Sequence, residues 1–210
     1  IAFLTACMSL VMGMLASLAL VRLGRFRGKM SFAGMITAPL VMPEVITGLS
    51  LLLLFVAMEK SFGWPGGRGM LTIWIAHVTF STAFVTVILS SRLREIDRSL
   101  EEAGMDLGAS PLKVFFVITI PIITPALLAA WLLAFTLSLD DIVIASFVSG
   151  PGSTTLPMKV FSSVRLGISP KINALASIII ALVSLGVLTA GWIVRGWERK
   201  KTLGISQKND

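Results

Sequence analysis

The chain has 210 residues, of which 55% are hydrophobic and 14% charged, and its mean hydropathy is +0.90. A soluble domain carries about 25% charged residues, so the composition excludes an ordinary water-soluble globule and places the chain in a bilayer. One Cys and one His leave no material for a disulfide framework or a metal site.

A spanning helix needs about 20 largely apolar residues. Residues 1–21 are uncharged and form the first expected span. They lack the basic start of a signal peptide and end in Arg22 rather than at a small-residue cleavage site. Because the chain opens with Ile1 inside an apolar run, one further span is expected upstream. Residues 30–58 form a second span, interrupted only by Pro39, Pro43 and Glu44. Residues 70–91, 114–139 and 172–194 complete five spans. Their apolar residues show little 3.6-residue periodicity, as in helices surrounded by lipid and protein. Trp64, Trp74, Trp192 and Trp197 fall near span ends, like interfacial belts, while Trp131 is interior. The expected architecture is all-α: a single multi-pass transmembrane domain over residues 1–210.

The net charge of +7 raises nucleic acid as a partner, and the positions of the basic residues argue against it. Four lie in the 22–29 loop, four in the 91–113 loop and five in the tail from Arg195, thirteen of the 18. Cytoplasmic loops carry the excess of Lys and Arg. Five spans place these three segments on one side, and Lys60, Arg68, Lys159, Arg165 and Lys171 on the other.

Between two apolar runs lies a charged insert, residues 92–113. Leu93, Ile96, Leu100 and Ala103 recur at three- and four-residue spacing with charges opposite, which predicts a short amphipathic helix. Gly104 and Gly108 loosen the backbone, and Ser110-Pro111 starts a second helix. Two readings stay open on residue types alone: a connector lying at the lipid interface, or a surface that docks a soluble partner.

Glu102-Ala103-Gly104, three residues, Gly108, nine residues, then Ile118-x-Ile120-Pro121 resembles a known signature, E-A-A-x3-G-x9-I-x-L-P. It marks the membrane subunits of binding-protein-dependent ABC importers. The chain departs from it at Gly104, where the pattern has Ala, and at Ile120, where it has Leu. The resemblance implies the type I ABC importer permease fold in a bacterial inner membrane. It implies that Glu102, Ala103, Gly104, Gly108 and Pro121 belong to a coupling loop that sits in a cleft of a cytoplasmic ATPase dimer. It further implies a second permease subunit and a periplasmic substrate-binding protein. ATP and Mg would bind on the ATPase, with no cofactor on this chain. Residues 38–48 around Met42-Pro43-Glu44, residues 136–150 around Leu139-Asp140-Asp141 and residues 169–176 resemble the polyamine branch. Gly63-Trp64-Pro65 and residues 150–158 are more similar to the permeases of putrescine importers than to spermidine-preferring homologues.

Glu44, Asp140 and Asp141 are the candidate cargo-path residues. An ionisable group in a span is rare and marks a pathway, and spaced carboxylates suit a flexible dication. Trp131, Phe135 and Phe147 add cation–π faces. The alternatives are structural. Asp140 and Asp141 mark the membrane boundary or cap the following segment, and since neighbours on a helix point about 100° apart, at most one faces the path. Glu44 satisfies amides freed by Pro39 and Pro43. His77, near Thr79, Ser81 and Thr82, makes an interhelical hydrogen bond or takes part in transport.

The chain has no G-x-x-x-x-G-K-[ST] loop, so ATP hydrolysis belongs to a partner and the chain is not an enzyme. An intramembrane aspartyl protease needs two facing carboxylates, which an adjacent pair supplies poorly. A solitary ion-coupled transporter is expected to carry inverted repeats, and none is visible. The leading expectation is a permease subunit of a putrescine importer, with spermidine or another small organic cation as the alternative cargo.

Overall fold

The computed structural model describes residues 1–24 and 26–166, with single positions between 170 and 185. The chain falls into two units, Ile1–Met158 and Lys159–Asp210. The first holds a helical bundle: α1 (Ala2–Val21), α2 (Lys29–Val41), α3 (Glu44–Phe62), α4 (Met70–Glu95), α5 (Arg98–Asp106), α6 (Pro111–Val114), a π-helical turn (Phe115–Thr119), α7 (Ile120–Asp140) and α8 (Val143–Val148). A last helix, α9 (Leu156–Leu166), runs into the second unit, where the Arg165 guanidinium lies 5.3 Å from the centre of the Phe161 ring.

α4 is the axis of the bundle. Its 26 residues extend about 39 Å at 1.5 Å per residue, longer than the roughly 30 Å hydrocarbon core. Toward its C-terminus, Val85, Leu89 and Leu93 pack with Ala6 and Met14 of α1 and Ile123, Ala130 and Ala134 of α7. Toward its N-terminus, Ile73, Ala76 and Phe80 pack with Phe55 of α3 and Ile144, Ala145 and Val148 of α8. Lipid gives helices little hydrophobic reason to associate, so close contact of small residues carries the packing. Gly13 of α1 illustrates it: a Cβ there would fall 2.5 Å from Val85 Cγ1.

Four helical stretches among the described residues are long and apolar enough to cross a membrane: Ala2–Val21, Glu44–Phe62, Met70–Glu95 and the continuous Pro111–Asp140. The expected span at 172–194 lies largely outside the described residues. The expected span at 30–58 is not one helix. It breaks between α2 and α3, where Met42 (ψ 136°) and Pro43 (ψ 137°) are extended. Pro43 cannot donate, and its ring disfavours helix at the residue before it. Pro39, by contrast, is carried inside α2. Leu93 and Ile96 also depart from expectation: they end α4, buried at 0% and 7% exposure, rather than starting a loop helix.

The two basic loops meet at one end of the bundle, where Arg22 pairs with Glu101 at 2.8 Å. At the other end the Thr72 hydroxyl donates to the Val148 carbonyl at 2.7 Å. There Gly150 lies so close that a Cβ would overlap the Arg68 carbonyl oxygen.

Candidate functional site

The insert between α4 and α7 is a hairpin of two short helices, each with its own start and stop. The Asp97 carboxylate accepts from the Ser99 backbone N–H at 3.0 Å, capping α5. That backbone hydrogen bond, with a second from the Ser99 side chain, holds the Asp97 carboxyl below its ordinary range. α5 stops at Gly108, whose φ of 84° suits glycine. The Ala109 N–H donates to Gly104 O at 3.2 Å and the Gly108 N–H to Met105 O at 2.9 Å, the paired bonds of a Schellman stop. Ser110 Oγ then accepts from the Lys113 N–H at 3.4 Å, and Pro111 stands at the first helical position of α6.

The two faces of α5 differ. Glu101 and Gly104, three residues apart, share its inner face. A Cβ at Gly104 would lie 2.8 Å from Ile118 Cδ1 and 3.2 Å from Val114 Cγ2, so glycine lets α5 lie close on the α6–π segment. Glu102, Ala103 and Gly108 face outward and are exposed, as is Pro121 in the first turn of α7. Leu107 and Leu112, 90% and 72% exposed, add apolar surface beside them. Exposed apolar side chains rimmed by charge are a docking surface in character.

Three polar contacts fix the hairpin to the spans. Arg22 Nη2 donates to Glu101 Oε1 at 2.8 Å, and the Thr119 hydroxyl donates to the same oxygen at 2.9 Å. Arg98 Nη2 donates to the Val21 carbonyl at the end of α1, 3.1 Å away. A cleft of about 210 Å³ opens beside the pair, lined by Leu18, Met105 and Phe115 among others. Sequence reasoning passed over Glu101, Arg22 and Thr119. The signal that finds Glu101 is its three-residue spacing from the packing glycine, Gly104. Arg22 is 79 positions away and carries no such mark.

Asp141 breaks the fourth span without help from a proline. α7 ends before it, its own backbone is extended (φ −63°, ψ 128°), and its carboxylate accepts from the Ile144 and Ala145 N–H groups at 3.2 and 2.7 Å. It caps α8, the structural alternative left open by the sequence. His77, 2% exposed, reaches the same carboxylate from α4: Nε2 lies 3.1 Å from Asp141 Oδ2 and Nδ1 2.7 Å from Ser138 Oγ. A carboxylate only accepts, so Nε2 carries the proton, and the neutral ring accepts from Ser138 at Nδ1.

Glu44 is not enclosed within a helix, because the break places it as the exposed first residue of α3. Asp140 is exposed at the end of α7. Neither carboxylate has a hydrogen-bond partner among the described residues. α3 meets α8 one turn beyond Glu44, where a Cβ on Gly48 would lie 2.7 Å from the Phe147 ring and 3.3 Å from Ile144 Cα. The two helix breaks, at Met42-Pro43 and at Asp141, therefore flank one α3–α8 contact. Trp131 and Phe135 stand elsewhere. They stack at 5.4 Å, and the Trp131 N–H points at Cys7 Sγ, 3.4 Å away on α1.

Residues 9–202 match the family model described as the binding-protein-dependent transport system inner membrane component. The chain is 63% identical over 207 residues to the putrescine transport system permease protein PotI of Escherichia coli strain K12, covering 99% of this chain and 74% of that one. It is 40% identical over 195 residues to the spermidine/putrescine transport system permease protein PotC of Haemophilus influenzae, covering 93% and 73%. Against PotC of Escherichia coli strain K12 the identity is 38% over 201 residues, covering 96% and 74%.

Proposed function

The chain belongs to the family of binding-protein-dependent transport system inner membrane components, and from that premise we propose that it is the permease subunit of an ATP-driven putrescine importer. The observation that carries the cargo is the gap in identity, 63% to a putrescine permease against 38–40% to spermidine/putrescine permeases. Such a gap fits a division by cargo.

In this reading the chain forms half of a pathway across the inner membrane and a second permease subunit forms the other half. α2 has no buried residue and leaves Met30, Met35 and Val41 open, apolar surface of the kind a second subunit or lipid covers. The exposed side of the hairpin, with Glu102, Ala103 and Gly108, docks in a cytoplasmic ATPase of a pair that binds ATP and Mg. Gly104 holds α5 against the α6–π segment, and Pro121 opens the span that the hairpin drives. A periplasmic binding protein delivers cargo at the opposite end, near the Arg68–Gly150 contact.

Glu44, Asp140 and Asp141 supply negative charge to a dicationic cargo at the paired helix breaks. Interrupted helices are where transporters place polar groups at membrane depth without exposing backbone to lipid. α2 supports the depth: its 13 residues carry the chain about 20 Å from Lys29 before the break. Binding there is weak enough for release, because two of the three carboxylates stand exposed rather than in a closed cage.

Uptake of labelled putrescine and spermidine tests the reading. Cells lacking their own polyamine uptake would express this permease with its ATPase, second permease and binding protein. ATP-dependent putrescine uptake that excess spermidine inhibits only weakly is expected. Spermidine uptake equal to or above that of putrescine overturns the cargo assignment, and uptake without the ATPase overturns the permease mechanism.

A further inference from the structure

The basic end of the bundle contains a second cleft that the coupling reading does not use. It measures about 360 Å³ and is lined by Arg22, Lys29, Arg94 and Arg98, with Leu20 and Ile96 among its apolar walls. No carboxylate lines it. The cations come from four places: the residue after α1, the first residue of α2, the end of α4 and the first residue of α5. A topological excess of positive charge only requires basic residues on one side of the membrane. It does not require them to converge.

Their charge is poorly matched within the chain. Arg22 donates Nη2 to Glu101, and its buried Nε has no partner among the described residues. Arg98 and Lys29 donate to neutral carbonyls, of Val21 at 3.1 Å and Gly24 at 2.7 Å. Arg94 has no hydrogen-bond or ion-pair partner among the described residues. The C-terminus of α1 contributes only about half a negative charge. Four cations against one carboxylate, gathered in one cleft, call for an anion.

We propose that this cleft holds the phosphate of an anionic phospholipid. Arginine forks bind phosphate oxygens in pairs, and an unpartnered Nε adds a donor. The depth selects a lipid over free phosphate. α1 ends at Val21, and α4 is about 9 Å longer than the hydrocarbon core, so Arg94 stands at headgroup level. Leu20, Val21 and Ile96 line the same cleft and suit the glycerol and first methylenes below a phosphate. Basic pockets between spans on the cytoplasmic side are sites of this kind.

The complete importer, extracted from bilayers of phosphatidylcholine with a minority of phosphatidylglycerol and weighed intact in the gas phase, gives the test. Wild type retains phosphatidylglycerol in preference to phosphatidylcholine, and millimolar inorganic phosphate does not displace it. The double variant Lys29→Gln/Arg94→Gln binds it about 30-fold more weakly, from roughly 1 kcal/mol per basic group, and Lys29→Arg/Arg94→Lys restores retention. Arg92→Gln, which removes a cation already paired with Glu95 at 2.7 Å, leaves it unchanged. The same spectra report assembly. If the double variant does not assemble, the single Arg94→Gln is read with about a fivefold loss expected. Unchanged retention in the Gln variants, equal loss in Arg92→Gln, or displacement by inorganic phosphate each overturns the lipid site.

Discussion

Arg22 Nη2 and Glu101 Oε1 lie 2.8 Å apart with 16% and 18% of their side chains exposed, joining the end of α1 to the inner face of α5. The hairpin is thus tied to a span it does not follow in sequence, as well as to α4 and α7, which it connects. A partner pushing on α5 would move α1 directly. Removing one member leaves the other mostly buried and unpaired, which costs about 2 kcal/mol. Glu101→Ala should therefore lower the thermal stability of the purified importer and weaken cargo-stimulated ATP hydrolysis. Exposed Glu102 behaves differently: Glu102→Lys should keep the chain within about 0.5 kcal/mol of wild type and lose assembly with the ATPase. The exchange Arg22→Glu/Glu101→Arg should recover part of the Glu101 loss. Equal stability changes at 101 and 102 would remove the distinction between anchor and docking face.

The two glycines of the hairpin separate conformation from space. Nothing lies within 4 Å of a Cβ added at Gly108, but its φ is +84°. Gly108→Ala should cost about 1–2 kcal/mol for the left-handed backbone, Gly108→Asn less, and Gly108→Trp should also block ATPase docking from an exposed position. Gly104 is the reverse case, with ordinary backbone and little room. The nearest atom is the mobile Cδ1 of Ile118, so Gly104→Ala should be tolerated, as the family pattern suggests, and Gly104→Leu should cost about 1–3 kcal/mol. Ile118→Ala should rescue Gly104→Leu in melting temperature. A rescue of Gly108→Ala by the same change would count against this division.

Hydropathy made the spans legible, and the spacing of Glu102, Gly108 and Pro121 made the hairpin legible, because both patterns are local. The break at Pro43 was written in the sequence yet read as an interruption, since a proline inside an apolar run is also compatible with a continuous helix. Pro39 in α2 is that case. The break at Asp141 could not be read, because it depends on Asp141 exchanging helix continuation for two N–H bonds and on His77 arriving from α4. Leu93 and Ile96 carried the periodicity of a loop helix, but α4 is longer than the membrane and takes them into its own core. Arg22–Glu101 is a long-range pair, and no local pattern announces it.

Asp97 gives the hairpin a dependence on pH with a definite sign. Its hydrogen bond from the Ser99 backbone lowers its folded pKa, so the ionised cap stabilises α5 fully above the ordinary carboxylate pKa. That contribution fades as pH falls through the lowered value. The difference in stability between wild type and Asp97→Ala should shrink on acidification below about pH 4 and be constant from pH 6 to 8. Asn caps without ionising, so Asp97→Asn should show no such fading relative to Asp97→Ala. A wild-type advantage that grows on acidification would contradict the cap.

The carboxylates at the helix breaks divide by what holds them. Asp141 accepts two N–H groups of α8 and the His77 ring. Asp141→Ala should thus destabilise the chain by about 2–3 kcal/mol, and Asp141→Asn by less, since the amide still caps. Glu44 and Asp140 are exposed and unpartnered among the described residues, so Glu44→Gln and Asp140→Asn should leave stability within about 0.5 kcal/mol. Any loss of uptake in those two variants therefore reports on cargo rather than folding. At least one of them should lower putrescine uptake about tenfold, the size of one lost charge-assisted contact, with assembly and basal ATP hydrolysis intact. Charge sign gives the sharper check: a dication should suffer more from Asp141→Lys than from Asp141→Asn, beyond their difference in melting temperature. If all three amide variants take up putrescine normally, the carboxylates serve only to hold the breaks open, and the path for the cation lies elsewhere in the bundle.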